Sequence, residues 1–78
     1  METREVDPDN LRMLAAEMVR QAISDLRSPS SRARFHAASF LRTQMCREIF
    51  ESVDVDADDA LSRIEARLGI SIAEEAKA

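Results

Sequence analysis

Eight apolar residues between positions 11 and 26 recur at helical spacing, and this stripe constrains the fold more than any other feature of the chain. At about 100° per residue, Leu11, Leu14, Ala15, Met18, Val19, Ala22, Ile23 and Leu26 share one face. Arg12, Glu17, Arg20, Gln21, Ser24 and Asp25 occupy the other, and Met13 falls outside the stripe. Asp7 followed by Pro8 reads as an N-cap with proline at the first helical position, and the acids around it suit the positive end of the helix dipole. The pattern predicts one long amphipathic helix over residues 8–27.

Further helices follow in the same way. Ser28-Pro29-Ser30-Ser31 is a turn, and one of its serines caps a second helix over 31–41 with Ala33, Ala37, Phe40 and Leu41 on its apolar face and His36 at the edge. That stripe cannot be extended to residue 50, because Arg42 would share a face with Phe35, Ala38 and Ile49. A break near Arg42 with Thr43 as cap gives a third helix, 43–52, whose stripe is Met45, Cys46, Ile49, Phe50 and Val53. A kinked single helix is the alternative. The fourth helix, 56–68, buries Ala57, Ala60, Leu61, Ile64 and Leu68 and stops at Gly69, a left-handed C-cap over which Ile70 can fold. Residues 1–7 read as an arm, 8–69 as a single domain and 70–78 as a frayed tail.

The expected fold is therefore all-α, a compact bundle of three to four short helices. Composition agrees: 45% of the 78 residues are apolar, yet only three are aromatic, and there is one Gly with two Pro. A chain of this size buries only about 60–65% of its unfolded surface, so self-association is an expected supplement to its stability. The lone Cys46 fits a reducing compartment, the acidic opening is no signal peptide, and no apolar run reaches membrane-spanning length. A soluble, cytoplasmic protein is expected.

Charge is segregated. Between Asp25 and Glu48 there is no acid, while Arg27, Arg32, Arg34, Arg42 and Arg47 fall in that window; the flanks are acidic and the net charge is −4. Placed on helices, the window divides. Arg27 belongs to a helix end and Arg47 lies on a later helix beside Glu48 and Glu51, which leaves Arg32, Arg34 and Arg42 on one surface of the second helix with the off-stripe Phe35. Arginine and aromatic side chains are enriched at interface hot spots, so Arg32, Arg34, Phe35, Arg42 and the off-stripe Met13 are the candidate partner-binding residues. The competing reading is a solvated face whose arginines pair with neighbouring acids.

Residues 54–65 match the spacing of an EF-hand calcium loop. Asp54, Asp56, Asp58, Ser62 and Glu65 fall at positions 1, 3, 5, 9 and 12, but Asp59 stands where the loop needs glycine. The simpler reading makes the aspartates the acidic first turn of a helix. The pair 43–52 and 56–68 also has the outline of a helix-turn-helix, although Asp58 and Asp59 would then face phosphates. His36 and Cys46 read as packing residues, no catalytic set is present, and no cofactor is expected.

The segments AAEMVRQAISDLRSPSSRARFHAASFLRTQMCREI and VDVDADDALSRIEARLG resemble a family of short proteins from phages and prophages of proteobacteria. Ala22, Ile23, Asp25, Leu26, Ser28, Arg34, Ala38, Phe40, Leu41, Cys46 and Asp56 carry the likeness, which spans roughly residues 15–68. Val53 and Ala57 depart from the Gly and Pro usual near those positions. The resemblance implies a phage or prophage accessory protein and no particular chemistry. The leading expectation is a non-enzymatic interaction module, such as an inhibitor or accessory factor, that docks on a host or phage protein through the Arg-rich helix. A nucleic-acid-binding regulator and a single EF-hand-like calcium binder are the alternatives, and a homodimer is compatible with all three.

Overall fold

The protein was analysed as a computed structural model that describes residues 8–77; the Asp7 cap and the 1–7 arm lie outside the described residues. Five helices follow one another: α1 (Pro8–Asp25), α2 (Ser31–Leu41), α3 (Gln44–Glu51), α4 (Ala57–Leu68) and α5 (Ile72–Glu75). There is no strand among the described residues. The all-α bundle expected from the pattern is the fold observed.

Each helix start has a local cause. Ser30 caps α2 by accepting from the Ala33 N–H at 3.2 Å. Thr43 caps α3 by accepting from the Cys46 N–H at 3.1 Å, so the chain does break after Arg42. Asp56 caps α4, its carboxylate receiving the N–H groups of Asp58 and Asp59 at 2.9 and 3.2 Å. These side chains satisfy amides that a helix start would otherwise leave unpaired. Gly69 closes α4 at φ 68°, and its N–H and that of Ile70 both reach the Glu65 carbonyl. α1 ends at Asp25 rather than Arg27, because Arg27 and Ser28 bond back only three residues and tighten the chain into the turn.

The core is small: Val19, Ala22 and Leu26 of α1, Ala37, Ala38 and Leu41 of α2, Cys46 of α3 and Ile72 of α5, with Ile23, Phe40, Ile49, Phe50, Leu61, Ile64, Leu68 and Ile70 half-covered around it. On α3, Cys46 is buried as its stripe requires, whereas Met45 and Val53 are exposed.

Two expectations are corrected. Part of the segment read as a frayed tail folds as α5. Ser71 caps it, the Ile72 N–H donates to the Glu65 carboxylate at 2.8 Å, and the Ile72 side chain is only 2% exposed. A four-residue helix has no stability of its own, so docking on α2 holds it. That docking causes the second correction. α2 has a second covered side, running through Arg34 and the fully buried Ala38, where an exposed face was expected, and His36 points to solvent.

Candidate functional site

The stripe on α1 is only half covered. Val19, Ala22 and Leu26 are buried, but Leu11 is 52% exposed, Leu14 62% and Met18 47%. The cause is a mismatch in length. An 18-residue helix runs about 27 Å, while the 11-residue α2 beside it runs about 16 Å and the 8-residue α3 about 12 Å. The amino-terminal turns of α1 thus extend past the side chains that could cover them.

The uncovered stripe forms one wall of an open groove of about 450 Å³ between α1 and α2. Leu14, Met18 and Ala22 line it from α1, and Ala37 and Phe40 from α2. Its rims differ in character. Glu17 and Asp25 edge the α1 side, while His36 edges the α2 side. Beyond the groove, Leu11 and the exposed Met45 at the start of α3 border a second, shallower opening between α1 and α3. Covering side chains of this kind is worth roughly 1 kcal/mol or more each.

The arginine surface is divided. Arg34 turns inward between α2 and α5, donating to the Ser28 carbonyl at 2.7 Å and to the Glu75 carboxylate at 3.3 Å. It is a structural strut and leaves the docking face. Arg32 and Arg42 are exposed and form no ion pair among the described residues. Phe35 is half-buried, its ring set edge-on against the His36 imidazole at 5.4 Å. Among the described residues Met13 is the most exposed large apolar side chain, at 70%, and it lies outside the groove. The structure does not gather the five partner-binding candidates into one patch.

The twelve residues with EF-hand spacing are placed in another way. Asp54 takes a left-handed conformation, φ 61°, in the turn after α3, and from Ala57 onward the segment is continuous helix. Asp56 is spent on the α4 cap and Glu65 on the Ile72 amide, while Ser62 is exposed at mid-helix. Asp58 accepts from Arg47 at 2.7 Å. That hydrogen bond, with the Asp58 charge, raises the Arg47 guanidinium above its ordinary value. The five oxygens do not converge, since a calcium loop must curl around its ion and this segment is a rod. No cluster of three or more metal-ligating side chains occurs among the described residues.

Cys46 is fully buried, and loss of hydration pushes its thiol pKa up, which makes it less of a nucleophile. No helix among the described residues is long and apolar enough to cross a membrane.

Periodicity puts Leu11, Leu14 and Met18 on the same face as Val19, Ala22 and Leu26, but it reports a face and not what covers it. The available signal was length: no later helix is long enough to cover the stripe of the first. No protein-family model, curated protein or solved structure matches the chain.

Proposed function

We propose that this protein is a small non-enzymatic interaction module that docks on another protein through the α1–α2 groove. The observation that carries the reading is the row Leu11, Leu14 and Met18, roughly half exposed or more on the same face as the buried Val19, Ala22 and Leu26. A domain with so little core does not gain from leaving three large apolar side chains wet, whereas an interface covers them. The resemblance of residues 15–68 to short phage and prophage proteins supports an accessory or inhibitory role toward a host or phage protein.

The groove is favoured over phosphate contact as the main determinant. With Arg34 tied to Glu75, two exposed arginines remain on α2. Two phosphate contacts release too few counterions for strong binding, and Asp58 and Asp59 in the first turn of α4 oppose a DNA-reading role.

Affinity capture from the native host tests the reading. The unaltered chain retains a partner, and Leu14→Glu, a change at an exposed site, abolishes retention while circular dichroism stays unchanged. Equal capture by both chains removes the groove from the interaction.

A further inference from the structure

We infer that the cleft between α1 and α3 is a binding site for a small anionic amphiphile, an apolar chain or ring system that carries a carboxylate or sulfonate. The site is separate from the α1–α2 groove, and the inference goes beyond the docking reading. Ala15, Val19 and Ile23 from α1, with Ile49, Phe50 and Val53 from α3 and the turn after it, form an apolar lining around about 270 Å³. The space has a cause in the sequence. Where α1 passes α3 it offers Ala15 and Ala16, whose single methyl groups leave the gap beside Phe50 unfilled. Ile23, Ile49 and Phe50 pack on the core yet stay only half-covered, and Val53 is 54% exposed. An apolar body in the cleft removes that surface from water.

The mouth selects the charge. Arg12 and Arg20 both line the cleft, two turns apart on α1 or about 12 Å along its axis, and no acid lines it. Arg12 makes no ion pair among the described residues, and Arg20 meets only Glu17, at 3.7 Å with both side chains largely exposed. A surface pair of that kind exchanges readily for another anion. Ser52 is the remaining polar group of the lining. Its hydroxyl already donates to the Ile49 carbonyl at 2.7 Å, so it has no proton to offer a ligand. Glu48 lies in the adjoining opening, where it accepts from Gln44 at 3.3 Å.

A chain of net charge −4 thus presents a locally positive mouth over an apolar floor. Guanidinium groups hold a carboxylate or sulfonate at the surface through charge-assisted hydrogen bonds while the apolar body enters. The volume falls just below the roughly 300–1,000 Å³ of drug-sized sites, which suits one short chain or a fused ring pair. The ligand is a free monomer rather than a membrane surface.

Titration of the full chain with anilinonaphthalene sulfonate, followed by fluorescence, is the test, with decanoate and decanol as competitors. The dye is expected to saturate one site with a dissociation constant on the order of 10–100 µM. Decanoate displaces it, and decanol, an uncharged chain of the same length, does so at least about tenfold less well. Ala16→Trp, at an exposed helical position, plugs the mouth and weakens dye binding roughly tenfold or more. Arg12→Glu combined with Arg20→Glu weakens it about tenfold while circular dichroism stays unchanged. Leu14→Glu, in the other groove, leaves the affinity unaltered.

Dye binding that never saturates overturns the inference, as does decanol competing as well as decanoate, or full affinity in Ala16→Trp or in the double arginine variant. Binding lost on Leu14→Glu overturns it by placing the dye in the α1–α2 groove. Association with phosphatidylglycerol vesicles, without displacement of the dye by decanoate, overturns it in favour of a membrane surface. Partner capture is unaffected by any of these outcomes, so the docking reading stands or falls separately.

Discussion

The two halves of α1 carry the same apolar stripe and meet opposite fates. Val19, Ala22 and Leu26 are buried with Ala37 and Leu41 of α2, whereas Leu14 and Met18 line the groove and Leu11 is exposed beyond it. Neither composition nor helix propensity separates the halves. The difference is what lies opposite, and that is set by the lengths of the later helices. One half of the stripe stabilises the fold, and the other is left uncovered.

The comparison is sharpest in folding energetics. Leu26→Ala, at a side chain 2% exposed, is expected to lower unfolding free energy by about 3 kcal/mol, while Leu11→Ala costs no more than about 0.5 kcal/mol. Urea denaturation of dilute protein measures both, and equal losses would mean that the amino-terminal half is covered in the monomer. Ile72→Ala is expected to cost about 2 kcal/mol, less than Leu26→Ala because α5 can undock without unfolding the rest. Hydrogen exchange should then show the amides of α5 losing protection ahead of those of α2.

Removing the α4 cap with Asp56→Ala should cost about 1 kcal/mol, and the change leaves α1 untouched. Thermal melting checks it, and added calcium should not alter the melting temperature of either protein. The smallest effect belongs to Cys46. Burial raises its folded-state pKa above the unfolded value of about 8.5, so the folded state holds the proton more tightly. The thiol therefore leaves stability unchanged below about pH 8, and stability falls as pH rises through the window above the unfolded pKa. Relative to Cys46→Ala, the unaltered chain should lose part of its advantage as pH rises above the unfolded thiol pKa.

The local structure was legible because its causes are local. Ser30, Thr43 and Asp56 each cap with their own side chains, and Gly69 adopts the left-handed conformation that its lack of a Cβ favours. The break after Arg42 followed from the drift of the apolar stripe. The environments of the candidate partner-binding residues were less legible. Arg34 looked like its neighbours Arg32 and Arg42 until a carboxylate forty-one positions away engaged it. Phe35 is half-buried and His36 exposed, the reverse of what their places relative to the apolar stripe suggest.

By itself the sequence determined four helices to within a residue or two at their ends, the turns between them, and the position of Cys46 in the core. Hydrogen bonds within four residues and a 3.6-residue period encode these features, and both are written along the chain. Only the tertiary structure decided which half of α1 is covered, that Ile72–Glu75 forms a helix, and that Arg34 is a strut. Those outcomes depend on the relative lengths and placement of separate helices, which no local pattern specifies.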